Sequence, residues 1–123
     1  MPRTAIQPVD MAGPRPRYTH GWRVGNTLYG AGQLALDKDS NLVGPNDIRA
    51  QTRRVLENVR RVLESGGASL RDVVKVTVFV TDIGYREGYG EVHQEFFAAS
   101  WCKWPCLAIP GALIEIEAVA AID

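Results

Sequence analysis

Glu115 and Glu117 stand two residues apart in the otherwise apolar run Ala112-Leu113-Ile114-Glu115-Ile116-Glu117-Ala118-Val119-Ala120. On a strand, side chains alternate between faces, so both carboxylates point one way while Ile114, Ile116 and Ala118 point the other. A carboxylate on so apolar a strand loses solvation unless it reaches water or a partner. Ile109-Pro110-Gly111 supplies the turn that starts this strand. Other residues with chemical potential are sparse. Cys102 and Cys106 have metal-like spacing, but no second cysteine pair accompanies them and the histidines are His20 and His93. A thiol pair without metal is the expectation. His93 reads as an ordinary helix-surface or interface histidine, and Trp101 and Trp104 as packing or subunit contacts. No Gly-rich phosphate loop and no Ser/His/Asp constellation stands out.

The elements that must position these groups follow from periodicity. Residues 1–17 carry Pro2, Pro8, Pro14 and Pro16 and read as an extended lead-in with one short edge strand around Thr4–Gln7. Trp22–Val24 and Thr27–Tyr29 flank Gly25-Asn26, which predicts a hairpin. Gly30, Ala31 and Gly32 end its second strand. Glycine there marks a bulge, a ligand's close approach or, as the simpler reading, close packing on a helix.

Asp37–Asn46 is a polar loop. From Asp47 to Ser65, apolar residues recur at helical spacing, and Gly66-Gly67 ends the run. The five arginines of that segment read as a solvated outer face. Asp72–Thr81 predicts a strand with Val74, Val76, Val78 and Val80 on one side. A second helix is expected over Gly84–Ala99, with Tyr89, Val92 and Phe96 on one face. Gly88 and Gly90 weaken it locally. Leu113–Ile122 is the last strand, and residues 102–109 leave room for one more. The expected architecture is α+β: a two-layer sandwich of a mixed sheet with two helices on one face.

Bulk properties bound the function. A chain of 123 residues is one domain's worth. Fourteen basic residues balance fourteen acidic ones, so no net field favours nucleic acid or an anionic membrane. No apolar run is long enough to cross a bilayer. With no apolar signal core after the N-terminal arginines, and only two cysteines, a reducing cytoplasm is the expected compartment.

Four further segments, in order, resemble one family. They are Arg17-Tyr18 with Gly21 and Val24-Gly25-Asn26; Gly30-Ala31-Gly32-Gln33-Leu34; Gln51-Thr52-Arg53-Arg54-Val55-Leu56-Glu57-Asn58-Val59; and Asp72–Asp82. With PGALIEIEA, they resemble the reactive intermediate deaminases (Rid, or YjgF, also called L-PSP endoribonucleases) over about Tyr18–Ile122. The stretch DIRAQTRRVLENVRRVLESGGASL also resembles the 2-aminomuconate deaminase branch, less specifically. The family resemblance implies a chorismate-mutase-like fold assembled as a homotrimer, with pockets at subunit interfaces. It implies hydrolysis of small enamines or imines to carbonyls and ammonia, with no metal or organic cofactor. Glu115 then falls on the acid that orients the hydrolytic water, and Tyr18 on the pocket tyrosine. Gly32 and Ala31 fall in the segment that reads Ser-Gly-Gln in the family.

The chain also departs from the pattern. The family arginine that clamps the substrate carboxylate should lie between Ala98 and Ile109, and no arginine is there. Two placements against the family pattern are open, one with Cys102 on the family's frequent cysteine and one with Trp104-Pro105-Cys106 before the arginine. Both lose the clamp. Lys103 and Arg17 are the candidate substitutes. The serine of the Ser-Gly-Gln segment is Ala31, and the family's second-helix asparagine falls on Gly90. Three functions are therefore weighed: an imine deaminase with altered or reduced activity, a non-catalytic ligand-binding or regulatory trimer, and a ribonuclease. The absence of a basic excess argues against the third.

Overall fold

The computed structural model describes residues 2–13, 18–97 and 110–123. Five strands form one sheet in the order β1-β2-β3-β5-β4. They are β1 (Arg3–Ile6), β2 (Gly21–Val24), β3 (Thr27–Gln33), β4 (Val73–Val80) and β5 (Ile114–Ala121). Every pairing among the described residues is antiparallel, where the sequence suggested a mixed sheet. The further strand for which 102–109 left room lies outside the described residues, as do Trp101, Cys102, Trp104 and Cys106.

The β2–β3 hairpin turns at Gly25-Asn26 with Val24 opposite Thr27. Gly25 has φ 60° and Asn26 does not share a positive φ. That is the arrangement of a type II′ turn, which asks for glycine at its first central position.

Helix α1 (Ile48–Ser65) begins where Asp47 accepts a hydrogen bond from the Ala50 amide at 3.0 Å, and it ends at Gly66. Its stripe of Val55, Leu56, Val59, Val62 and Leu63 is buried and packs on β3 and β5. The facing sheet residues are Leu28, Val76, Val78, Val80, Ile114, Ile116, Ala118 and Ala120, which complete the core. Helix α2 (Arg86–Phe96) packs beside α1. It is shorter than the sequence suggested, because Ile83–Tyr85 forms a separate 3₁₀ turn capped by Asp82. Arg49–Glu91 at 2.7 Å and Arg53–Glu95 at 2.9 Å tie the two helices across their solvated faces. The arginine-rich face is therefore the outer surface, and such exposed pairs contribute little to stability.

Two expectations need correction. Val74 is exposed rather than buried, because the β4–β5 register shifts between Val73 and Lys75. That extra residue bulges out of the ladder while Val76, Val78 and Val80 keep the inward face. His93 is buried, not on the surface: it is hydrogen-bonded to the Tyr89 hydroxyl and its ring lies 5.2 Å from that of Phe97. Burial pushes the His93 imidazole below its usual pKa and the Tyr89 phenol above its own. The one-turn spacing of Tyr89, His93 and Phe97 lets the His93 ring lie between the other two rings, 5.2 Å from each.

Candidate functional site

β5 lies between β3 and β4, so its outward side chains emerge at the middle of the sheet. Glu115 sits opposite Phe79, and Glu117 opposite Thr77. Both carboxylates point away from the helices, because Ile114, Ile116 and Ala118 take the core side. Glu115 is half-buried and Glu117 exposed.

On the other flank the β3–β5 ladder slips. Gly30 pairs with Ala118 and Gln33 with Ile116, so Ala31 and Gly32 together oppose Glu117. This is a β-bulge, a device that re-aims backbone and side chains beside binding sites. It resolves the reading of the small residues. Neither Gly30 nor Gly32 packs on a helix. A Cβ at Gly30 would meet the Ala118 backbone, and one at Gly32 would lie 1.9 Å from Glu115 Oε1. The Glu115 carboxylate is thus laid directly on the Gly32 backbone, in space that any larger residue would occupy.

Tyr18 closes the other side of Gly32, its hydroxyl donating to the Gly32 carbonyl. Its ring meets that of His20 edge-on, with centroids 5.8 Å apart. Burial, then the Glu115 and Glu117 carboxylates, push the Tyr18 phenol up to about 12. It stays protonated at neutral pH and serves as a donor. Burial, and secondly the negative charge of Glu117, raise the Glu115 carboxyl above its ordinary range. A carboxyl so shifted exchanges its proton closer to neutrality than an ordinary surface acid does.

A cleft of about 290 Å³ opens on this sheet face, lined by Trp22, Tyr29, Ala31, Lys75, Thr77 and Glu117 among others; Glu115 and Gly32 are next to it in the sheet, with Tyr18 bonded to Gly32, but none of the three lines it. Of the residues singled out from sequence, the structure therefore brings together Tyr18, Ala31, Gly32 and Glu115. Arg17 and Lys103 lie outside the described residues. Three participants escaped notice. Lys75 lines the cleft, and its place two residues before Thr77 on a period-two strand was the available signal. His20 and Gln33 form a buried polar pair behind the bulge; nothing local distinguishes such residues from surface polar ones. No group of three or more His, Cys, Asp or Glu among the described residues is placed to hold a metal ion. No helix among them is long and apolar enough to cross a membrane.

Comparison with known proteins matches the same frame. The model of the endoribonuclease L-PSP family matches residues 10–122. A RutC family protein of Pyrococcus abyssi (strain GE5 / Orsay) is 38% identical over 113 residues, covering 87% of this chain and 89% of that protein. Among solved structures, YyfA from Yersinia pestis, described as a protein of unknown function of the conserved Rid family, superposes with a TM-score of 0.89. It is 28% identical, with 98% of this chain and 100% of that one covered. E. coli TdcF with bound serine gives a TM-score of 0.82 at 25% identity, with 98% and 99% of the chains covered. The bulge at Ala31–Gly32, the Tyr18 contact and the paired glutamates thus sit on a scaffold shared along nearly its whole length, and this chain belongs to the Rid/YjgF (endoribonuclease L-PSP) family.

Proposed function

We propose that the protein is an enamine/imine deaminase that hydrolyses a small reactive imine to a carbonyl compound and ammonia. The observation that carries this reading is the Glu115 carboxylate, half-buried, raised in pKa and seated against Gly32. The family resemblance supplies the reaction class, and the geometry supplies a base suited to it. Water attacks the imine carbon as Glu115 takes its proton, and the C=N electron pair moves to nitrogen. Glu115 then returns the proton to that nitrogen. As the carbinolamine collapses, Glu115 takes the hydroxyl proton and passes it to the amine nitrogen, the C=O forms as the C–N bond breaks, and ammonia leaves with the carboxylate as it began. Tyr18 does not take part as a base, because its proton is held on the Gly32 carbonyl. Serine bound to E. coli TdcF supports ligands of amino-acid size for the corresponding cleft here. The proposal needs no metal or organic cofactor and places the protein in the cytoplasm.

Assembly as a homotrimer belongs to the same reading. The sheet face away from the helices leaves Trp22 41% and Tyr29 52% exposed, side by side across the hairpin. Large apolar residues clustered on one face are characteristic of an interaction surface. Sedimentation at micromolar concentration should give three times the 13.5 kDa chain mass. A single-chain mass would refute the trimer.

The missing clamp sets the substrate range. A carboxylate held by an arginine fork gains a charge-assisted pair of about 1.5–3 kcal/mol, or roughly 10–100-fold in rate or affinity. No arginine stands between Ala98 and Ile109. Turnover of 2-iminopropionate should therefore fall about that far below a family member that has the arginine, with uncharged or differently held imines preferred. Lys103, Arg17 and the cleft-lining Lys75 are the cations to test by alanine substitution. Turnover ordinary for the family and insensitive to all three would place the anion site elsewhere. The same missing arginine favours one second reading, a ligand-binding trimer without catalysis, which would retain a bound imine or amino acid and release no ammonia.

A further inference from the structure

Among the described residues, His20 and Gln33 are two of the few buried polar side chains, and they touch each other directly behind the bulge. The His20 ring nitrogen Nε2 lies 2.8 Å from the Ala12 carbonyl oxygen. A carbonyl only accepts, so Nε2 carries the proton and Nδ1 presents its lone pair. The Gln33 Nε2 lies 3.3 Å from that Nδ1 and 3.3 Å from the Ala31 carbonyl oxygen. Both of those partners are acceptors. The reverse amide orientation would set the Gln33 oxygen against a carbonyl oxygen and a lone pair at once, so the nitrogen must face them.

The backbone repeats the link. The Ala31 amide donates to the His20 carbonyl at 2.9 Å, and the His20 amide donates to Gln7 Oε1 at 3.1 Å. Both polar groups of the Ala31 backbone are thereby assigned, one to His20 and one to Gln33. The next residue is Gly32, on which Glu115 rests and to which Tyr18 bonds. The bulge interrupts the ladder on the β5 side only, so Ala31 is held on the β2 side by the His20 carbonyl, and its own carbonyl is held by the Gln33 amide.

We infer that Gln33, held against the His20 ring, is a positioning residue for Glu115: its amide fixes the Ala31–Gly32 bulge that forms the seat of the carboxylate. The inference rests on the deaminase reading for its kinetic consequence but not for its structural one. Gln33 does not line the cleft, and acts by denying the bulge a second arrangement. A seat displaced by a fraction of an ångström misplaces the base relative to water and imine, which costs rate without weakening ground-state binding.

The test uses Gln33→Met, which keeps the length and burial of the side chain and removes both donors. In the trimeric protein, kcat for an imine substrate should fall about 10–100-fold while KM changes less than about two-fold. In parallel, ¹³C-carboxyl NMR should show Glu115 titrating nearer its ordinary range than in the parent, because a loosened seat admits water. His20→Phe preserves the ring against Tyr18 and removes the acceptor for Gln33. It should shift kcat and the Glu115 titration in the same direction by less, and it serves if Gln33→Met does not fold. Parental kcat and an unmoved Glu115 titration in either folded variant would overturn the positioning role. Loss of kcat and binding together, with Glu115 unmoved, would also overturn it in favour of simple destabilisation. If the parent hydrolyses no imine, the deaminase reading fails, and the Glu115 titration alone decides the inference.

Discussion

Glu115→Gln should lower imine hydrolysis by about 10²–10⁴-fold, the range expected for removal of a general base. The amide keeps the shape of the carboxyl against Gly32 but cannot accept the proton of the attacking water. Glu117→Gln should change the rate far less, because Glu117 is exposed and contributes mainly its charge. The pH profile carries the same signature. Glu115 must be ionised to act, and burial with Glu117 nearby raises its pKa. The acidic limb of kcat/KM should therefore lie above the ordinary glutamate value of about 4.3, and Glu117→Gln should move it back down. Stability should run the opposite way. An acid whose folded pKa exceeds its unfolded one favours the folded state when protonated, and that contribution is lost as pH rises through the folded pKa. At neutral pH Glu115→Gln should thus melt no lower than the parent, and slightly higher, while being nearly inactive. Parental activity in Glu115→Gln would remove the residue from the mechanism, and a melting temperature well below the parent's would show that the carboxylate is structural.

The second large effect belongs to a residue with no functional group. Gly32→Ala should cut activity about 100-fold or more with little loss of stability, on the principle that a displacement of about 1 Å costs this much. The new Cβ would stand 1.9 Å from Glu115 Oε1, 2.8 Å from its Cδ and 3.1 Å from its Cγ. Something must move, and what moves is the free end of the Glu115 side chain, since the three nearest obstructing atoms all belong to it. Gly32 does not have a positive φ, so alanine brings no backbone strain. The fold should survive while the base swings out of its seat. Melting curves and the activity assay together check this. An active Gly32→Ala would show that Glu115 works from another rotamer. An unfolded one would show that the bulge cannot absorb a methyl group.

Much of this molecule was legible along the chain because its signals are local. The alternation of β5 put Glu115 and Glu117 on one face. The 3.6-residue stripe and its Gly66-Gly67 stop delimited α1, and Gly25-Asn26 located the hairpin turn. Each depends only on the geometry of one element, and the ordered motifs carried the family as well. Tertiary structure alone decided the register between elements. The β3–β5 slip is a relation between two strands far apart in the chain, marked by the pairs Gly30–Ala118 and Gln33–Ile116, and no short window of sequence contains both. That slip set Gly32 against the Glu115 carboxylate rather than against a helix, and the Val73–Lys75 shift turned Val74 outward in the same way. The pairing of His20 with Gln33 behind the bulge also joins β3 to the residue just before β2, whereas His93 meets Phe97 one helical turn on, where the chain leaves α2. A polar side chain looks alike in sequence whether solvent or three-dimensional packing satisfies it; only the folded contacts distinguish the two, because hydrogen bonds and desolvation depend on what lies within a few ångströms in space.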